Sequence, residues 1–146
     1  MTGLSPTKFP STAIVAGIAY FALVFALGFL LGTLRTIFVQ DAPSMGRLLG
    51  VLIELPVMLS ASWFLCRTVV RRFAVAPTVL ASAVMGGLAF ALLLLAEFVL
   101  SALLFGRTPG EHFVLYRDAS YALGFAAQIG FALMPLIQMR RGEQSC

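Results

Sequence analysis

Residues 78–105 read TVLASAVMGGLAFALLLLAEFVLSALLF, an unbroken apolar run with one charge, Glu97, and no proline. As an α-helix rising 1.5 Å per residue it is about 40 Å long, enough to cross a hydrocarbon core of about 30 Å. A small globule has no interior large enough for such a segment and others like it. The whole chain has 146 residues, of which 60% are hydrophobic and only 11% charged, a composition that fits the bilayer as solvent.

Working outward, three more runs qualify, at 12–34, 48–66 and 120–138. The connections 35–47, 67–77 and 106–119 are too short to hold a second domain. The expected fold is therefore all-α: a polytopic, four-transmembrane-helix bundle forming a single membrane domain over 1–146. A soluble enzyme and a domain on a single anchor are both excluded. Lys8 precedes the first run as in a signal peptide, but 12–34 is longer than a signal h-region and no small-x-small cleavage site follows, so it reads as a first span.

The formal charge of +4 does not mark a nucleic-acid binder, because the ten basic residues are scattered between spans. They fit a positive-inside pattern instead. Lys8, Arg67, Arg71, Arg72, Arg140 and Arg141 fall on one side, against Arg35, Arg47, Arg107 and Arg117 on the other, where Asp41, Glu111 and Asp118 also lie. Both termini are expected in the cytoplasm. In the last connection Thr108-Pro109-Gly110-Glu111 has the form of a capping box with proline at the first helical position, which predicts a short interfacial helix between the third and fourth spans. It would lie in the headgroup layer or cover the bundle as a lid.

Charges inside a span cost about 2.5–3.5 kcal/mol each on insertion scales, so Glu54 and Glu97 each need a partner or a purpose. Counted from the outer span ends, Glu54 lies about 10 Å deep, Glu97 about 12 Å and Gln128 about 13 Å, and Arg35 closes the first span with a side chain able to bend inward. Arg35, Glu54, Glu97 and Gln128 are thus expected in one buried outer layer, with Ser101 one turn from Glu97 and Tyr121 two turns before Gln128 in support. Gly28 and Gly32, Gly50 with Ala61, Ala83 with Gly86, and Gly124 put small residues on the same faces, as close helix contacts require. Pro56 removes the amide that would bond the carbonyl of residue 52, predicting a helix kink beside Glu54.

Such a cluster would be a proton or cation site, a pocket for a hydrogen-bonding ligand, or a satisfied network that fixes helix register. Of the two carboxyls, Glu97, set among Leu94, Leu95, Phe98 and Leu100, is the one expected to hold a proton, while Glu54 is within reach of Arg35. Tyr20, Tyr116 and Tyr121 read as interfacial anchors, although Tyr20 is deep for that role. Ser60, Ser62 and Trp63 would face a ligand or simply pack.

Other chemistry lacks its residues. His112 is the sole histidine, Cys66 and Cys146 form no C-x-x-C pair, and the one lysine, Lys8, lies outside the spans. Haem ligation by two histidines of one copy, a zinc site and a Schiff base are therefore not expected, nor is a phosphate loop or a Ser-His-acid triad. No catalytic residue, metal or cofactor is assigned.

The strings GTLRT at 32–36, IELP at 53–56 with Ser62-Trp63, and MGGLAF at 85–90 followed by AEF at 96–98 resemble uncharacterised four-helix membrane proteins of bacteria. The resemblance implies a bacterial inner membrane and carries no activity, cofactor or catalytic residue. The functional expectation is a non-enzymatic accessory subunit, with the lipid bilayer and a membrane protein or further copies of itself as partners. A small proton- or cation-linked transporter acting as an oligomer is the alternative. A lipid-modifying enzyme using Glu54 or Glu97 as acid or base is a third, and it would need a site open to head groups or water.

Overall fold

The computed structural model describes residues 9–39, 44–106 and 108–143. It is all-helical, in the order α1 (Phe9–Val39), α2 (Ser44–Arg72), α3 (Val79–Phe105), α4 (Pro109–Val114), a 3-10 turn (Leu115–Arg117) and α5 (Ala119–Glu143). The four long helices contain segments long and apolar enough to cross a membrane: Ser11–Phe38, Leu48–Arg72, Val79–Leu104 and Ala119–Gly142. Lys8, Asp41, Arg107 and Cys146 lie outside the described residues.

α3 coincides with the segment read from sequence to within one residue, whereas α1, α2 and α5 overrun theirs, most clearly α2, which starts at Ser44 and ends at Arg72. Hydropathy marks where side chains stop favouring lipid, whereas the backbone ladder continues for as long as its own hydrogen bonds hold. For the same reason α2 runs without interruption through Pro56, which removes one bond from a long ladder. The end of α2 is a tight turn: Val75 N–H donates to the Val70 carbonyl at 3.1 Å and Ala74 takes a left-handed φ of 48°, where glycine is usual. Thr78 then caps α3 by accepting from the Ala81 amide, and Gly106, with φ of 61°, closes it.

Each long helix has two neighbours. α1 packs against α2 and α3, and α5 packs against α3 and α2, leaving α1 opposite α5 and α2 opposite α3. Within the hairpin of α1 and α2 the register is antiparallel, since Gly28 meets Met58 while the later Arg35 meets the earlier Glu54. α3 and α5 repeat this, with Gly86 against Ala132 and Glu97 against Gln128. The two hairpins lie side by side, so α2 and α5 run parallel: Leu59 faces Gly130 and Trp63 faces Gln138.

Two glycines let backbones meet. A Cβ at Gly17 would come within 2.9 Å of the Met85 carbonyl, and one at Gly86 would overlap the Ala132 carbonyl. Gly32 and Gly124, which the small-residue stripes placed at helix contacts, have open space instead, and Ala83 is exposed. On helices apolar all round, small residues alone do not show which side meets a neighbour. The middle of the bundle is filled by Tyr20, Cys66, Met85 and Pro135, all fully buried. Outside, an apolar belt includes Ile18, Leu30, Ile53, Phe64, Leu80, Leu103 and Ile129, as a lipid-facing surface requires.

Candidate functional site

Two polar pairs sit toward the end of the bundle that carries α4. In the first, Arg35 Nη1 donates to Glu54 Oε2 at 2.7 Å, a charge-assisted bond between α1 and α2. Gly50 makes this possible: Arg35 Cδ lies 3.2 Å from where a Gly50 Cβ would stand, so the arginine stem crosses α2 over the bare backbone. The pair is not sealed. The Arg35 side chain remains 36% exposed and that of Glu54 18%, beside a shallow groove lined by Leu31, Gly50, Ile53 and Val57. Thr33 and Thr36 nearby return their hydroxyls to the carbonyls of Phe29 and Gly32 on their own helix, leaving the ion pair as the polar feature of this groove.

In the second pair, Gln128 Nε2 of α5 donates to Glu97 Oε1 of α3. Met85, Ala89, Leu93, Glu97 and Ser101 follow one another at intervals of four, a row that drifts by about 40° per step around an α-helix. Its early members lie beside α1, where Gly17 meets Met85, and its later ones come round to α5. Ser101 is buried and its Oγ has no partner, and the same is true of Gln128 Oε1. The structure thus gathers the four polar residues as two pairs, one per hairpin. Tyr121, in the first turn of α5, is 42% exposed.

Above the second pair the predicted capping box is present. Thr108 N–H donates to Glu111 Oε2 at 2.8 Å and Glu111 N–H donates back to Thr108 Oγ1 at 3.4 Å, starting α4 with Pro109 at its first position. The following turn puts Tyr116 edge-on to Phe125 of α5, with ring centroids 5.4 Å apart. Burial, with the Glu97 charge adding to it, raises the Tyr116 hydroxyl above the ordinary phenol value, so it stays protonated.

A third polar locus was read differently from sequence. Tyr20 is not an interfacial anchor: it is fully buried, and its hydroxyl donates to the Phe131 carbonyl at 3.2 Å, with Met134 Sδ 3.4 Å away. Its ring stacks on Phe131 with centroids 4.4 Å apart, and Cys66 is buried in the same core cluster. The cause is Pro135. Having no N–H, proline leaves the carbonyl four residues back, that of Phe131, without its helical donor, and Tyr20 reaches across the bundle to supply one. A tyrosine at mid-span together with a proline in another span was the available signal.

Trp63 and the serines near it also resolve. Ser62 is buried while Ser60 is exposed. Gln138 Nε2 donates to the Trp63 carbonyl at 2.7 Å and Arg141 lies 5.1 Å over the indole, so Trp63 joins α2 to α5 at the end away from α4. Among the described residues no group of three or more His, Cys, Asp or Glu side chains could hold a metal ion. No family model, curated protein or solved structure matches the chain.

Proposed function

We propose that this chain is a non-enzymatic membrane subunit that docks, through the α1–α2 groove, against a transmembrane helix of another membrane protein. The observation that carries the reading is the half-open Arg35–Glu54 pair in an otherwise apolar lateral groove. An ion pair turned toward lipid loses much of its worth to desolvation, whereas a partner helix offering a hydroxyl or amide would complete it and cover Ile53 and Val57, both exposed. The filled mid-section, with Tyr20, Cys66 and Met85 at zero exposure, argues against a pathway through a single copy. Cationic residues at Lys8, at the end of α2 (Arg67, Arg71, Arg72) and at the end of α5 (Arg140, Arg141) support cytoplasmic termini, and the resemblance to four-helix membrane proteins of bacteria supports a bacterial inner membrane.

The test is gentle extraction from native membranes followed by intact-mass analysis of wild type and Gly50→Leu. The reading expects a stoichiometric second protein with wild type, lost with Gly50→Leu because leucine displaces the Arg35 stem. A homo-oligomer with no second protein would instead support the transporter alternative.

A further inference from the structure

The end of the bundle away from α4 gathers positive charge along one seam. Because α2 and α5 run parallel, their last turns lie side by side, with Arg67, Arg71 and Arg72 on one and Arg140 and Arg141 on the other. All five are exposed, and among the described residues the side chains of Arg67, Arg71, Arg72 and Arg140 make no hydrogen bond or ion pair. Arg141 lies 5.1 Å over the Trp63 indole, beside the bond of 2.7 Å that ties the Trp63 carbonyl to Gln138. Arg67 and Arg71 follow Trp63 at four and eight residues, so they continue its row of α2 beyond that contact.

Helix chemistry uses up only part of this charge. Each helix C-terminus presents about half a negative charge, and Glu143 is the one acidic residue in these closing turns, so about three of the five positive charges are left uncompensated. The surface below them selects the ligand. Leu133, Ile137 and Arg141 stand at intervals of four on α5 and all are exposed, and on α2 the exposed Phe64 precedes Arg72 by two turns. A soluble anion would meet the cations and leave these apolar rows bare. A phospholipid of net negative charge satisfies both, its phosphate among the guanidinium groups and its acyl chains along the rows.

We propose that the α2–α5 seam at this end binds an anionic phospholipid, with Arg67, Arg71 and Arg141 holding the phosphate and Trp63 beside the upper acyl chains. This goes beyond the partner reading and does not depend on it, because the α1–α2 groove lies toward the opposite end of the bundle.

Trp63 is the one tryptophan of the chain, so its fluorescence reports on this seam alone. The full chain is reconstituted in phosphatidylcholine vesicles that contain an equal share of brominated phosphatidylglycerol or of brominated phosphatidylcholine, whose acyl-chain bromines quench a tryptophan they touch. Both leaflets have the same composition, so either direction of insertion gives the same readout. The anionic lipid is expected to be preferred about tenfold at low salt and to fall toward parity in molar salt, which screens charges beyond about 3 Å. Arg67→Gln, Arg71→Gln and Arg141→Gln together bring the preference to parity, whereas Arg117→Gln at the other end leaves it unchanged. Equal quenching by the two lipids with wild type would leave the arginines to a soluble acidic partner and would overturn the proposal. So would a preference that the triple variant retains, or one abolished by inorganic phosphate at constant ionic strength, which marks a site for free anions. If the triple variant does not reconstitute, Arg71→Gln alone decides in its place, with an expected loss of about two- to threefold in preference, and no loss overturns the proposal equally.

Discussion

The Tyr20 hydroxyl on α1 hydrogen-bonds at 3.2 Å to the Phe131 carbonyl on α5, the oxygen that Pro135 leaves without a donor. Two helices that stand opposite each other in the bundle are joined through a fault in one of them. Tyr20→Phe keeps the ring stack and strands the carbonyl, so it should lower stability by about 1–2 kcal/mol. In a Pro135→Ala background, where the substituted position regains a backbone N–H that can donate to the Phe131 carbonyl, the same change should cost little. A double-mutant cycle of thermal or denaturant unfolding in detergent measures the coupling, and additive effects would show that the hydroxyl does not serve the proline gap.

Gly86 and Gly87 are adjacent and should respond oppositely to alanine. A methyl at Gly86 would overlap the Ala132 carbonyl, backbone that cannot swing away, whereas Gly87 has nothing within 4 Å. Gly86→Ala should destabilise by about 1–3 kcal/mol through overpacking, and Gly87→Ala should be neutral or stabilise by up to about 1 kcal/mol through helix propensity. Thermal midpoints of the two variants provide the comparison, and equal loss would place the α3–α5 contact elsewhere on α3.

These two sites mark how far the sequence could be read. The four long apolar helices were legible because length and hydropathy are local properties, and so was the Thr108–Glu111 capping box, which needs only neighbouring residues. Reach between Arg35 and Glu54 followed from the short connection between their helices. The partner of Tyr20 did not, because it is a backbone oxygen exposed by a proline far along the chain. Nor did the parallel packing of α2 on α5, since helices apolar on every side give no sign of which face meets which neighbour.

The two glutamates should tolerate amidation differently. Glu54→Gln leaves Arg35 with a neutral partner in an apolar groove, while Glu97→Gln keeps a hydrogen-bonding group opposite Gln128. The first is expected to lower the thermal midpoint in detergent more than the second, by an amount on the order of 1 kcal/mol given that Arg35 is partly open to its surroundings. A larger loss for Glu97→Gln would mean that the second pair, not the first, holds the bundle together.

Ala74 holds a left-handed φ of 48° in the turn after α2. Glycine adopts that conformation without the Cβ penalty of about 1–2 kcal/mol, offset in part by the larger entropy it loses on folding. Ala74→Gly should therefore leave stability unchanged or raise it by up to about 1 kcal/mol. Loss of stability on unfolding in detergent would contradict the turn geometry.

The partner reading meets its most direct test at Ile53, which lines the α1–α2 groove and is 72% exposed. A photo-crosslinking amino acid placed there in intact membranes should give one adduct of defined mass with a different membrane protein, while the same group at Leu95 on α3, 58% exposed, should give none. Lipid-only adducts at Ile53, or the same products at both positions, would contradict docking through this groove.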